Sequence, residues 1–276
     1  MRLLAFFLLT FLVTWSVWLA AAALAAPGNT GFFGGGGPVF LLGVFAPALV
    51  ALALTAQAEG RTGVTRLLAR IGHWKVGARW YLVAISYFAI IKLAAALLHR
   101  VVTDEWPPFG DTPVAMMVLG IAVSTWAQAG EEIGWRGYAL PRLAQYVGLG
   151  GASLVLGFVW AVWHLPLFML PDSGSTGQSF LVYLLQVMAL SVALAFLYWK
   201  TGGSLLLVML MHAAVNNTTD IVPAAIGATI DPIAFGGSRV AWATVVLSWV
   251  VAVPLLMRMR GGNIESILTS KASELR

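Results

Sequence analysis

The sequence predicts an all-α fold, a polytopic membrane helical bundle of about eight transmembrane helices. Three observations carry that prediction. Of the 276 residues 60% are hydrophobic and only 10% are charged, whereas a soluble domain is roughly a quarter charged. The mean hydropathy is +0.87. The apolar residues fall in runs of about 20, the length a helix needs to cross the hydrocarbon core. No alternating ten-residue pattern repeats as a membrane barrel would require.

Eight spans are expected, at about 3–25, 38–58, 79–99, 113–136, 152–171, 179–199, 203–222 and 239–258. The first opens on Arg2 and closes in the small residues Ala20–Ala26, as a signal peptide does. Its apolar run exceeds the ~7–15 residues of a signal, so it is expected to stay as a helix. The Gly-rich stretch Gly31–Pro38 leads into the second span. A basic loop with Arg61, Arg66, Arg70, Lys75 and Arg79 follows it, and Arg100–Thr112 separates the third span from the fourth. The fourth is free of charge from Thr112 to Gly130 and then ends in Glu131 and Glu132. Pro171–Gln178 reads as a turn, Pro223–Ser238 as a long loop with room for a re-entrant piece, and Gly261–Arg276 as a polar tail. The whole chain, 1–276, is read as one transmembrane domain with its core at about 110–222.

The basic residues give the orientation. With the N-terminus in the cytosol, only Arg100 and Arg239 of the 16 Lys and Arg residues fall outside, and Lys92 lies within the third span. That asymmetry satisfies the positive-inside rule with both termini cytosolic. A multi-pass protein of a bacterial or archaeal cytoplasmic membrane is the expected setting. Trp15, Trp18, Trp80, Trp106, Trp199 and Trp242 fall near span ends, where interfacial anchors belong. The basic residues are dispersed, so nucleic acid is not an expected partner; membrane lipid and a membrane-associated peptide are. There is no cysteine, which removes disulfides, thiolate metal ligands and thiol nucleophiles.

Ionisable groups at membrane depth are costly and mark functional sites. Glu132 and Arg136 stand at i and i+4, so they can meet on one helix face. Glu131 is turned about 100° away and is free for another task. Trp160 and His164 on the fifth span, and His212 and Asn216 on the seventh, are also i and i+4 pairs. At ~1.5 Å per residue, Glu131, His164 and His212 lie roughly 16, 20 and 14 Å from the same membrane face. They can converge in one cavity. A single membrane histidine is more often an interhelical hydrogen-bonding residue, and an Arg–Glu clamp alone only pins a helix end. Two histidines, an asparagine and an acid pair at one depth favour a site.

The chemistry narrows by exclusion. Ser124 and Ser191 have no evident triad partners, Asp220 and Asp231 lack the spacing of an aspartyl dyad, and the HExxH zinc signature is missing. Glu131 with His164 can hold and deprotonate a water. His212 and Asn216 can donate hydrogen bonds to a developing oxyanion. Together these roles make amide hydrolysis.

At these residues the chain resembles the CPBP family of intramembrane proteases, which includes the type II CAAX prenyl endopeptidases and bacteriocin-immunity (Abi) proteins. The family pattern is EExxxR, FxxxH and HxxxN. Glu131-Glu132-Ile-Gly-Trp-Arg136 matches the first motif and His212-Ala-Ala-Val-Asn216 the third. In the second, Trp160 stands four before His164 where the pattern has Phe. The resemblance implies an intramembrane endopeptidase that cleaves a membrane-associated substrate, with prenylated CAAX proteins as one class. It implies Glu131 and His164 as water activators, His212 and Asn216 as oxyanion donors, and Glu132, Arg136 and Trp160 as support. No cofactor is required on this reading. The alternatives are a zinc enzyme using Glu131, His164 and His212, a non-proteolytic immunity or scaffold protein on the same fold, and a transporter or proton relay.

Overall fold

The computed structural model describes residues 1–24, 37–168, 178–223 and 238–262. Within them the chain is helical, with no strand. In order come α1 (Arg2–Leu24), α2 (Gly37–Ala69), α3 (Ala78–Thr103), α4 (Val114–Ala127) and the short α5 (Ala129–Glu132). A π-helix (Ile133–Ala139) runs into α6 (Leu140–Trp163), and a 3₁₀ turn (Leu165–Phe168) follows. Then come α7 (Phe180–Lys200), α8 (Leu205–Thr218) with a 3₁₀ turn (Thr219–Ile221), and α9 (Arg239–Met259).

Six of the described helices are long and apolar enough to cross a membrane. One of these runs 50 residues, Val114–Trp163, well beyond a single crossing. It breaks at Gly148, whose φ of 69° is a left-handed conformation that glycine adopts without a Cβ clash. The apolar helix Leu205–Ile221 is shorter. All eight expected spans therefore fall on helix, in a polytopic all-α bundle. The expected loop Gly31–Pro38, the turn at Pro171–Gln178, the loop Pro223–Ser238 and the tail Gly261–Arg276 lie mostly outside the described residues.

Several boundaries differ from expectation for local reasons. The fourth span does not stop at 136 but continues through the π-helix to the break at Gly148. The fifth stops at Trp163 rather than 171, because Pro166 has no N–H and biases Leu165 away from helix. The basic segment expected as a loop is helical to Ala69, beyond a reversal at Gly60 (φ 63°, ψ −159°).

Helices α1 and α2 are tied together by a defect. Pro47 inside α2 cannot donate to the carbonyl four residues earlier. Thr14 of α1 fills that vacancy, its hydroxyl donating to the Gly43 carbonyl at 2.9 Å. Trp18 donates to the Phe40 carbonyl one turn away. In lipid a freed backbone group needs such a partner. Trp18 is accordingly 1% exposed and stacks on Phe40, not the interfacial anchor its position suggested. Trp106, at 57% exposed, keeps that role open.

The core lies where α6, α7 and α8 meet the π-helix, around Trp135, Tyr138, Trp163, Leu194 and Tyr198. Glycine sets how closely these helices approach. A Cβ at Gly157 would fall 2.8 Å from the Met188 backbone, so α6 lies directly against α7, and Ser191 donates to the Ser153 carbonyl across the seam. Outward, Leu8 and Leu12 of α1, Leu82 and Ile90 of α3, Val118 and Val123 of α4 and Val250 of α9 are exposed. Such a belt suits a hydrocarbon solvent.

Candidate active site

Glu131 and Glu132 sit at the end of α5, where the helix widens into seven residues of π-helix. π-helical turns inside α-helices are rare, and those that occur are frequent at functional sites. Three glycines flank and enter this turn and bring α2 against it. A Cβ at Gly130 would meet the Val44 carbonyl at 3.0 Å, and one at Gly134 would meet Pro47 at 2.6 Å. One at Gly137 would meet Leu67 at 2.9 Å. The acids are thus pressed inward from α2 toward α6 and α8.

The two carboxylates diverge as helical rotation demands. Glu132 is 0% exposed and takes two bonds from Arg136 Nη1, at 2.9 and 3.1 Å. Its Oε1 also lies 2.8 Å from His212 Nδ1 on α8. Glu131 is 6% exposed and points to α6, where Trp160 Nε1 donates to its Oε2 at 2.6 Å. Only Glu131 keeps any access, so of the two it is the one that can meet a water. Glu132 is saturated by partners.

Each histidine is oriented by its Nδ1. His164 is the cap residue ending α6, and its Nδ1 lies 2.8 Å from the Trp160 carbonyl. A carbonyl only accepts, so this Nδ1 carries the proton, and in the neutral ring Nε2 is bare. His212 Nδ1 faces a carboxylate and donates in the same way. Both rings therefore keep Nε2 for other work.

Trp160 joins the parts. Its ring lies 5.7 Å from His164 and 5.1 Å from His212, edge to face in both cases, and the Arg136 guanidinium stacks 4.4 Å over it. A cation on an indole face adds attraction beyond the ion pair. One side chain thus touches Glu131, Arg136, His164 and His212.

Asn216 is exposed, one helical turn beyond His212 on the same face of α8. Its neighbour Asn217 is committed elsewhere, donating to Ser124 Oγ at 2.9 Å and to the Ala213 carbonyl at 2.8 Å. Ser124 and Ser191, each without a triad partner in the sequence, both serve helix–helix ties.

Other neighbours had not been anticipated. Trp163 and Tyr183 pack edge-on against His164 at 4.6 and 5.7 Å, and Trp18 lies 6.3 Å away. The only sequence signal for them is the abundance of tryptophan, 12 residues, which also fits membrane interfaces. Among the described residues no three His, Asp or Glu side chains form a group that could hold a metal ion.

The family profile described as type II CAAX prenyl endopeptidase Rce1-like matches residues 111–218, the stretch that carries all three polar motifs. A CAAX prenyl protease 2 from Methanococcus maripaludis is 25% identical over 240 residues, which cover 79% of this chain and 83% of that one. The resemblance read from the motifs is borne out: over this stretch the chain is similar to the Rce1-like type II CAAX prenyl endopeptidases.

Proposed function

We propose that the chain is an intramembrane endopeptidase that hydrolyses a peptide bond of a membrane-associated substrate by means of water activated at Glu131 and His164. Its relatives' names point to a CAAX-type protease, and we assign prenylated CAAX-type proteins as the substrate class to test first. The observation that carries the reading is the division of labour between the adjacent acids. Glu132 is consumed by Arg136 and His212, whereas Glu131 holds one indole bond and retains access.

In the first step a water held between Glu131 and the bare Nε2 of His164 attacks the carbonyl carbon. Its proton passes to Glu131, and the carbonyl electrons form an oxyanion. His212 Nε2 and the Asn216 amide donate to that oxyanion. With Nδ1–H already given to Glu132, His212 must be an imidazolium to donate from Nε2. Glu132, itself paired with Arg136, supplies the counter-charge. In the second step the intermediate collapses, the C–N bond breaks, and Glu131 returns its proton to the leaving amine.

The substrate assignment is tested by comparing cleaved membrane peptides in cells carrying the wild type and Glu131→Ala. New termini present only with the wild type, and enriched three residues from prenylated C-termini, support it. New termini on unprenylated membrane segments would keep the protease and replace the substrate class.

A further inference from the structure

A second polar site lies at the other end of the π-helix from Glu131. A cavity of about 370 Å³ opens between the last turns of α2 and the start of α6, lined by Glu59, Arg66, Arg70, Gly137 and Arg142 among others. Three guanidinium groups face one carboxylate. Glu59 serves two of them weakly, with Arg66 Nη1 at 3.4 Å and Arg142 Nη2 at 3.3 Å, both near the limit of a hydrogen bond.

The arginines are held from behind. Arg70 donates to the Tyr198 hydroxyl, and its carbonyl accepts from the Leu205 N–H at 3.0 Å, fixing it to α7 and α8. Arg142 donates to the Tyr138 carbonyl at 3.0 Å and lies 3.7 Å over the Tyr138 ring. Gly63 gives Glu59 room to fold over its own helix, since a Cβ there would fall 2.4 Å from the Glu59 Cβ. The cavity straddles the Gly60 reversal, where the apolar run of α2 gives way to Arg61, Arg66 and Arg70.

From this we infer that the cavity binds a phosphate group, that of an anionic phospholipid headgroup or a free phosphate, with Glu59 as an internal placeholder that the ligand displaces. Arginine forks match phosphate oxygens in pairs. Basic pockets between transmembrane helices are where anionic headgroups bind. The volume suits a headgroup of small-ligand size. The inference does not depend on the catalytic reading.

The full chain in phosphatidylcholine nanodiscs, with and without phosphatidylglycerol, tests it by intact mass measurement of retained lipid and by titration. One phosphatidylglycerol is expected per chain, bound about tenfold more weakly by Arg66→Gln/Arg142→Gln. Arg258→Gln/Arg260→Gln, exposed basic residues of α9 and its end, should leave binding unchanged. Glu59→Gln should tighten binding several-fold, an outcome that loss of folding cannot mimic. Inorganic phosphate that stabilises the chain in phosphatidylcholine alone, through the same arginines, identifies free phosphate as the source. Absence of binding by both probes, equal weakening by both double variants, or no tightening by Glu59→Gln overturns the inference.

Discussion

At the scale of the residue, the distinctive feature is an indole where the family pattern has a phenyl ring. Phenylalanine would preserve the aromatic face that meets His164, His212 and Arg136, and it would lose only the N–H on Glu131. A hydrogen bond to a charged group contributes about 1.5–3 kcal/mol, but a water can take its place at a site with access. Trp160→Phe is therefore expected to fold normally and to lower kcat about three- to tenfold with little change in KM. Loss of activity as deep as that of Glu131→Ala would show that the indole does more than hold the carboxylate. The adjacent acids should separate sharply. Glu132→Gln leaves the Arg136 charge buried and unbalanced, a fault that costs about 3–5 kcal/mol, so its melting temperature should fall. Glu131→Gln should keep the wild-type melt and lose turnover. Exchanged phenotypes would reverse the two roles.

At the scale of the element, the π-helix and the glycines around it determine where the acids point. Gly134 lies against the backbone of Pro47, and neither backbone can yield as a side chain would. Overpacking of this kind costs about 1–3 kcal/mol. Gly134→Ala should therefore lower thermal stability by that amount and, by moving α2 off the turn, reduce activity more than stability alone explains. Unchanged stability and activity would show that the close approach is dispensable. None of this was legible in the sequence. The i, i+4 spacing of Glu132 and Arg136 foretold their bond, because four residues bring side chains together in α- and π-turns alike. The extra residue in the turn leaves no mark in hydrophobic periodicity. Nor did spacing reveal that His212 leans on Glu132, since that contact joins residues 80 positions apart.

At the scale of the whole molecule, apolar run length was enough to place the expected spans on helix among the described residues, because each must satisfy its own backbone bonds in lipid. Boundaries were less legible: the reading ended the fourth span at 136, short of the break at Gly148, and carried the fifth to 171, past Pro166. Gly148 and Gly60 each reverse the backbone and lead into further helix, the second of which the loop reading missed, and Pro166 follows the end of α6. The convergence of three motifs was foreseen from depth, since groups at one level in a membrane gain by sharing a polar interior. What depth could not supply was the hub, because an indole reads as apolar until its N–H is seen to find a carboxylate.

The central claim is that Glu131 and His164 activate the attacking water. The direct measurement is the cleavage rate of the purified, reconstituted chain on a farnesylated CAAX peptide, with Glu131→Ala and His164→Ala compared at matched thermal stability. General acid–base groups contribute about 10²–10⁴-fold. The account predicts that each variant folds as the wild type does and loses at least about 10²-fold in rate, on the same scale. Cleavage retained within a fewfold by either folded variant would contradict it.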